Sequence, residues 1–277
     1  MLRGYYTAAA GMMAQQRRQE MLTNNLSNAN TPGYKADRAS LRAFPEMLMS
    51  VYNTEEMPNN RTFKNSKLLG PINTGVYLQE TIPNMTQGDL RQTGRNTDIA
   101  LLSQNVPINE ETNLPGALFF EVQNANGEPR YTRNGDFSLD ANGSLVTNEG
   151  NYVLSADGNP IQLFGNDFTV RDDGTVLEGG VEVAQINVTF ADNPDALIKE
   201  GNGLFAVDGG GALNSAIGNA DIAYSLKQGF EERSNVDVQQ TMTDMMTAYR
   251  TFEVNQRVLR AYDQSMDKAV NEVGRVR

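Results

Sequence analysis

The chain has 277 residues, of which 39% are hydrophobic, and a formal net charge of −11 at pH 7. It contains no cysteine and no histidine, which excludes disulfides, cysteine nucleophiles, histidine-dependent triads and nearly all zinc sites. It has no run of about eighteen apolar residues either, so no membrane-spanning helix is predicted.

The charge is distributed unevenly along the chain. Residues 1–42 carry six Lys or Arg against two Asp or Glu, and residues 234–277 carry six against six. The residues between them carry eleven against twenty-six. An acidic middle repels phosphate backbones, so nucleic acid is not expected as a partner.

A helix is predicted within an N-terminal segment of residues 1–43. Its apolar face recurs at steps of three and four, is interrupted by two glutamines and then resumes, at Leu2, Tyr5, Ala9, Met12, Leu22, Leu26 and Ala29. Pro32 disfavours helical backbone at the residue before it, and Gly33 supplies a flexible turn. The helix should therefore end near Asn30.

Residues 44–95 are predicted to form an extended connecting segment. Prolines that break long helices recur there about every thirteen residues, at Pro45, Pro58, Pro71 and Pro83. Short strands are expected, for example over residues 75–81. Some mobility is expected over residues 54–66, and part of the connecting segment is expected to order only against neighbouring molecules.

Residues 96–230 are predicted to form an antiparallel β domain rich in Gly and Asn. Turn dipeptides that accept the positive φ angles of tight hairpins fall at Asn126-Gly127, Asn134-Gly135, Asn142-Gly143, Asp157-Gly158 and Asp173-Gly174. The predicted strands cover residues 118–122, 130–133, 137–139, 145–147, 152–154, 161–164, 168–170 and 181–190, with 201–208 and 222–226 closing the sheet. The alternation of apolar residues slips near Gln185, which predicts a bulge or sheet corner.

A second long helix is predicted within residues 231–277, with Ser234 as its N-cap. Its apolar or near-apolar positions have a mean spacing of 3.5, typical of a narrow seam that faces another helix: Val238, Met242, Met245, Tyr249, Phe252, Gln256, Leu259, Tyr262, Met266, Val270 and Val273. The fold class predicted is thus α+β, with the terminal helices forming a coiled-coil-like pair around a central β domain.

The two helices differ in predicted length, at about 60 Å for the C-terminal one and about 42 Å for the N-terminal one. A hairpin of the two leaves part of the longer seam bare, so contacts with other copies are expected. The predicted subunit interface comprises Leu2, Tyr5, Ala9, Met12, Leu22, Leu26, Met242, Met245, Tyr249, Phe252, Leu259, Tyr262 and Met266. An ordinary core helix with a long surface helix in one domain remains the alternative.

Several sequence motifs are better explained as turns than as chemical sites. The segment from Asp140 to Ser144 begins like a calcium loop, but its twelfth position is Asn151 rather than Glu. The glycines at 209–211 are not followed by the Lys-Ser/Thr of a phosphate loop. We therefore predict no catalytic, cofactor or metal site and no small-molecule substrate.

Three separate strings closely resemble the bacterial flagellar axial family of rod, hook and hook-associated proteins. The first is NNLSNANTPGYK, with Asn24, Asn25, Asn28, Asn30, Thr31, Pro32, Gly33 and Tyr34 as its motif residues. The second lies in the β domain around the string YTRNG at residues 131–135, preceded by QGDLRQTG at residues 87–94. The third lies within residues 229–236 and comprises Gly229, Phe230, Glu231, Ser234, Asn235 and Val236.

The resemblance implies a structural subunit of the basal-body rod, most like the distal rod type. Family membership implies that terminal helices line a tubular polymer that transmits torque and forms the export channel. It also implies partners among copies of the chain, other rod and hook proteins and the export apparatus, with export and no cleaved signal peptide. A transient export chaperone or assembly cap, and a secreted carbohydrate-active enzyme using paired carboxylates, remain the alternatives.

Overall fold

The computed structural model describes residues 2–55, 63–110, 112–165 and 167–273. It confirms an α+β protein with an N-terminal helix, a C-terminal helix and antiparallel strands between them. Among the described residues, no helix combines the length and apolar character needed to cross a membrane.

The helices are α1 (Leu2–Ser27) and α2 (Val238–Lys268), and α2 continues into a π-helical turn at Ala269–Val273. The strands, in chain order, are β1 (Asp37–Ala43), β2 (Met47–Glu55), β3 (Phe63–Ile72), β4 (Val76–Pro83), β5 (Leu90–Gln92), β6 (Ile99–Asn105), β7 (Ala117–Gln123), β8 (Pro129–Thr132), β9 (Phe137–Leu139), β10 (Leu145–Thr147), β11 (Tyr152–Val153), β12 (Phe168–Val170), β13 (Thr175–Glu178), β14 (Val181–Gln185), β15 (Val188–Ala191), β16 (Leu197–Lys199), β17 (Leu204–Val207), β18 (Asn214–Ser215), β19 (Ala223–Gln228) and β20 (Phe230–Glu232).

The chain forms two compact units that interleave along the sequence. The first unit, which we call the helix unit, comprises Met1–Asn24, Asp37–Ile82 and Gln239–Arg277. The second, the β unit, comprises Asn25–Ala36 and Pro83–Val238.

The helix unit contains most of both helices and the first four strands. β2 and β3 pair in antiparallel register from Met47 opposite Ile72, and β1 pairs with β4. The strand expected over residues 75–81 is confirmed as β4. The expectation for residues 54–66 falls largely on residues 56–62, which lie outside the described residues.

The core of the β unit is organised around β7, whose sequence ALFFEVQ is apolar on both faces. Alternate side chains of a strand point to opposite faces. Leu118, Phe120 and Val122 accordingly enter the main hydrophobic cluster, while Ala117 and Phe119 enter a second, smaller one. β7 pairs with β8, β11 and β15 in a nine-stranded sheet, so both of its edges are hydrogen-bonded, while the two clusters cover its two faces.

Most of the predicted turns join the strands as expected. Asn126-Gly127 lies between the paired strands β7 and β8, and Asp173-Gly174 lies between β12 and β13. Asn142-Gly143 connects β9 to β10, and Gly143 has a φ of 79°. Asn-Gly and Asp-Gly suit these turns because glycine adopts positive φ without steric cost.

The prediction of a hairpin at Asn134-Gly135 is wrong. β8 pairs with β7 and β17, whereas β9 pairs with β10, so this dipeptide links strands that are not partners. Gly135 serves close packing instead, since a Cβ built on it would collide with the carbonyl oxygen of Ile99. The Ile99 N–H donates to the Gly135 carbonyl at 3.0 Å.

Two other strand boundaries differ from the prediction. Residues 161–164 form no strand, since Gln162 makes only an isolated bridge to Ser144. The predicted strand 181–190 is divided into β14, which belongs to a three-stranded sheet, and β15, which belongs to the large sheet. This division confirms the predicted sheet corner near Gln185.

The helix ends also differ slightly from the expected ones. α1 ends at Ser27 rather than near Asn30, and α2 begins at Val238. Ser234 therefore does not cap α2. Its Oγ instead accepts a hydrogen bond from the Val236 N–H at 3.4 Å.

We predict that Gly135→Ala destabilises the β unit because the added methyl meets backbone that cannot rotate away. The free energy of unfolding should fall by about 3 kcal/mol, the upper end of what overpacking usually costs. Urea unfolding followed by circular dichroism measures this change.

Gly165→Ala is the matched control, because a Cβ at Gly165 meets nothing within 4 Å. It should change the free energy of unfolding by less than about 0.5 kcal/mol. Equal effects of the two substitutions would show that close packing at Gly135 is unimportant.

Candidate functional site

The motif segment that follows α1 is anchored in the β unit through Gly33. Gly33 is buried with a φ of +67°, and a Cβ built on it would lie 2.5 Å from the backbone N of Asn134. Its N–H donates to the Glu232 carbonyl at 2.8 Å. Only glycine fits this combination of left-handed backbone and close approach, so the first and second family-like strings meet here.

A buried ionic cluster lies beside this contact. Glu232 accepts a hydrogen bond from Lys35 Nζ at 2.6 Å through Oε1, and from Arg133 Nη2 at 2.9 Å and Nε at 3.0 Å through Oε2. All three side chains are 4% exposed or less. The geometry resembles a fork, in which one carboxylate holds two cations from distant parts of the sequence.

The remaining polar atoms of the cluster are directed to the backbone. Arg133 donates to the carbonyls of Leu101 and Leu118 at 3.0 Å each, and Lys35 donates to the Thr86 carbonyl at 2.9 Å. The Gly88 N–H donates to Glu232 Oε1 at 2.8 Å. Such additional bonds are what allows buried charges to be stable, because desolvation alone is expensive.

The surroundings favour the charged form of Glu232 more strongly than the charged form of Lys35. Burial alone would raise the pKa of Glu232, but the charges of Arg133 and Lys35 and its hydrogen bonds outweigh burial and hold that pKa below the ordinary value of 4.5. Burial lowers the pKa of Lys35 to about 8, and Glu232 only partly opposes that effect. The asymmetry arises because Glu232 faces two cations, whereas Lys35 faces one anion and one cation.

Side-chain hydrogen bonds of Asn235 connect the third family-like string to the region around this ionic cluster. Its Oδ1 accepts from the Ala36 N–H at 2.7 Å, and its Nδ2 donates to the carbonyls of Asn84 and Thr86 at 2.8 and 3.0 Å. β20, which carries Glu232, pairs with β5. All three strings thus converge on one buried junction, which we call the Glu232 junction.

The groups of the Glu232 junction hold segments of the chain together and are not arranged for a reaction. Its ionisable groups are enclosed and paired with one another, so none is presented to a substrate. Among the described residues, no group of three or more acidic, histidine or cysteine side chains is arranged to hold a metal ion.

The motif residues are otherwise divided between the two units. Asn24 belongs to the helix unit, and Asn25 is buried in the β unit with the Tyr34 hydroxyl donating to its Oδ1 at 3.1 Å. Thr31 Oγ1 contacts Asn28 Oδ1 at 3.2 Å. Lys35 and Arg133 stand within the family-like strings, but the sequence analysis assigned them no role, and it did not single out Glu232. No local sequence pattern connects residues about a hundred positions apart, so the ionic cluster could not be predicted.

Within the helix unit, α1 and α2 touch in antiparallel order. A Cβ on Gly4 would collide with the Tyr262 hydroxyl, and one on Gly11 would lie 3.0 Å from Asn255 Nδ2. Towards the other end of α1, the hydroxyl of Thr23 donates to Met245 Sδ at 3.8 Å. The small residues of α1 therefore allow larger side chains of α2 to approach closely.

The predicted interface residues are covered to different degrees in the single chain. Leu22 is buried, whereas Met242 and Tyr249 are about half exposed, at 48% and 54%. The side chain of Leu2 lies outside what the structure describes. The others are half-buried: Tyr5, Ala9, Met12, Leu26, Met245, Phe252, Leu259, Tyr262 and Met266.

The fully buried residues of α2 are not among the interface residues predicted from the periodicity of its sequence. Thr241 and Ala248 are the buried residues of this helix, each one position before an exposed predicted residue. The face covered within the chain is thus rotated by about 100° from Met242 and Tyr249.

We predict that Glu232→Gln destabilises the β unit by about 3–5 kcal/mol at neutral pH, since it leaves two buried cations unpaired. Because the folded-state pKa of Glu232 is depressed, its stabilisation is present above about pH 4.5 and is lost as the pH falls through that folded-state pKa. The stabilities of wild type and variant should therefore converge in acid. Urea unfolding at a series of pH values tests this.

Glu200→Gln provides the control, because Glu200 pairs with Arg130 at 2.8 Å but is 38% exposed. Its loss should cost less than about 1 kcal/mol. A stability difference between wild type and Glu232→Gln that stays constant from neutral to acidic pH would rule out the ionic role of Glu232.

Protein-family models match three regions of the chain. "Flagella basal body rod protein" matches residues 6–35, "Flagellar hook protein FlgE/F/G D1 domain" matches residues 114–178, and "Flagellar basal body rod FlgEFG protein C-terminal" matches residues 227–272. The three regions contain Lys35, Arg133 and Glu232 respectively, one member of the ionic cluster each.

Curated relatives match over nearly the whole length. The chain is 49% identical over 276 residues to the flagellar hook-basal body complex protein FlhO of Bacillus subtilis, with 100% of both chains covered. It is 30% identical to the flagellar basal-body rod protein FlgG of Borreliella burgdorferi, with 98% of each covered. It is 29% identical to FlhP of Bacillus subtilis, over 96% of this chain and 97% of the relative.

These matches agree with the three strings that resemble the family and with the junction at which those strings meet. The chain therefore belongs to the flagellar axial family of rod and hook proteins.

Proposed function

We propose that this protein is a subunit of the flagellar basal-body rod that polymerises through its terminal helices. In this proposal the helices pair in a coiled-coil-like manner and line a tube, which transmits torque and forms the export channel. Its location in the flagellum follows from its relatives, which are basal-body components, and its family is structural rather than enzymatic.

The observation that carries the proposal is the apolar surface that α2 leaves uncovered. Met242, Met246 and Tyr249 lie one helical turn apart and are 48%, 56% and 54% exposed in the single chain. Burying one such side chain fully is worth roughly 1.5–3 kcal/mol. Neighbouring copies can supply that burial, which links helix packing to assembly.

The two units differ in net charge, which supports different roles for them in the proposed assembly. The β unit carries nine Lys or Arg against twenty-three Asp or Glu, a net charge of −14. The helix unit carries fourteen against eleven, a net charge of +3. A nearly neutral helix unit can pack against its copies with little repulsion, while the acidic β unit favours a hydrated outer surface.

The partners we propose are copies of the chain, other rod and hook proteins and the flagellar export apparatus, with neither nucleic acid nor a small-molecule substrate. We propose export without a cleaved signal peptide, and among subtypes the distal rod. A transient export chaperone or assembly cap is the alternative, and relatives described as rod or hook-basal body complex proteins favour the structural role.

Before assembly, we expect the terminal helices to be only marginally stable, because isolated helices gain most of their stability from packing. In a dilute monomer, amide hydrogens of residues 2–24 and 239–273 should exchange rapidly. In assembled rods they should be strongly protected. The strands around β7 serve as an internal control, since they should be protected in both states.

Hydrogen exchange measured by mass spectrometry separates these cases. Terminal helices that are already protected in the dilute monomer would contradict assembly-coupled folding.

Purified basal bodies provide an independent test. Mass spectrometry should find the protein there in multiple copies, with an N-terminal peptide that retains the residues of α1. A chaperone or cap would be absent from mature basal bodies, and a cleaved signal would remove part of α1.

A further inference from the structure

One segment of the β unit comes from far earlier in the chain than the rest of it. The segment Asn25–Ala36, which we call the strap, joins a unit that is otherwise built from Pro83–Val238. Both hydrophobic clusters of the β unit consist of residues from the later segment alone. The strap therefore docks on a core to which it contributes no residue.

Hydrogen bonds and a cation–π contact hold the strap in place. Its last carbonyl, that of Ala36, accepts from the Asn84 N–H at 2.8 Å. Lys199 Nζ lies 4.3 Å from the centre of the Tyr34 ring and donates to the Lys35 carbonyl at 3.3 Å. A segment held in this way can open locally while the core stays folded, because opening breaks only its own contacts.

Docking of the strap leaves the buried ionic cluster with one positive charge in excess. Arg133 and Glu232 both belong to the later segment, and they form a pair with two hydrogen bonds at 2.9 and 3.0 Å. That pair is already balanced in charge before Lys35 arrives from the strap and contacts Glu232 at 2.6 Å. Among the described residues, Glu232 is the one carboxylate within ion-pair distance of Lys35 or Arg133. Two buried cations therefore share one buried anion.

The other charged groups near Lys35 do not remove this excess. Glu231, on the same strand as the shared carboxylate, is paired with Arg91 instead. Residues 84–88, which supply a carbonyl acceptor for Lys35, contain no charged side chain. Lys199 is a further cation, at the carbonyl of Lys35. The net charge of the buried cluster is thus positive whenever Lys35 is protonated.

We propose that the strap is a pH-dependent closure, which docks more tightly in alkaline than in neutral surroundings because docking favours loss of a proton from Lys35. Deprotonation removes the excess charge, and the neutral amine still has hydrogens to donate to Glu232 and to the Thr86 carbonyl. Arg133 keeps Glu232 balanced throughout, since a guanidinium does not deprotonate in proteins. The closure lies within the β unit, so it is independent of the proposed role in the rod.

The direction of the pH dependence follows from the two states of the strap. With the strap open, Lys35 is in water and has the ordinary pKa of 10.5. With the strap docked, burial is the largest effect and lowers that pKa to about 8, opposed in part by Glu232 and reinforced by Arg133. Below about pH 8 both states hold the proton, and the excess charge weakens docking in full. Between about pH 8 and 10.5 the open state binds more protons, so docking strengthens as the pH rises.

Amide hydrogen exchange of the full chain, resolved by residue, measures opening of the strap. The Gly33 N–H is suitable, because it donates to the Glu232 carbonyl across the closure. Its protection factor, which is corrected for the intrinsic exchange rate at each pH, should rise more than about tenfold between about pH 7 and about pH 9.5 in the wild type. Lys35→Met never carries the charge and Lys35→Arg always does, so both should give flat profiles over that range.

Lys227→Met is the matched control, because Lys227 is an exposed lysine of the same unit and its loss should leave the wild-type rise unchanged. A rise of the same size in Lys35→Met or Lys35→Arg, or a flat wild-type profile, would overturn the proton-linked closure. If Lys35→Met does not fold, the comparison of wild type with Lys35→Arg decides in the same way. None of these results bears on the proposed place of the protein in the rod.

Discussion

The β unit depends on one buried carboxylate that holds two buried cations. Glu232 lies on the last strand before α2, Lys35 on the segment that leaves α1, and Arg133 on the link between β8 and β9. Removing Glu232 leaves two buried cations without an anion, which costs far more than a missing surface ion pair. Removing either cation leaves Glu232 paired with the other one. The junction therefore ties the segment after the first helix and the segment before the second to the same core.

This arrangement suits the role that we propose, in which the helices pack between molecules. If the helices obtain much of their packing from neighbours, the chain needs a fold that is complete without them. The two hydrophobic clusters around β7 and the Glu232 junction supply such a fold within the β unit. The small net charge and exposed methionines of the helix unit are the features from which we propose contact with other copies.

The helices illustrate how a helix can serve several partners. In the single chain, the face of α2 that contains Ala248 is buried, and apolar residues on its other faces stay exposed. A helix with apolar residues on more than one side is usually buried among several neighbours. Gly4 and Gly11 of α1 let Tyr262 and Asn255 of α2 approach closely.

The sequence by itself determined the features that depend on neighbouring residues. The periodic apolar positions of both helices, the Asn-Gly and Asp-Gly turns that join paired strands and the corner near Gln185 all follow from local sterics and periodicity. The three family-like strings were also recognisable from the sequence alone. Only the tertiary structure decided that these strings meet, that Glu232 binds Lys35 and Arg133, that Gly135 packs on Ile99 instead of turning a hairpin, and that Thr241 and Ala248 rather than Met242 and Tyr249 are the buried positions of α2. These features depend on contacts between residues up to about two hundred positions apart, and no local pattern encodes which distant charge or backbone carbonyl will be brought against a given residue.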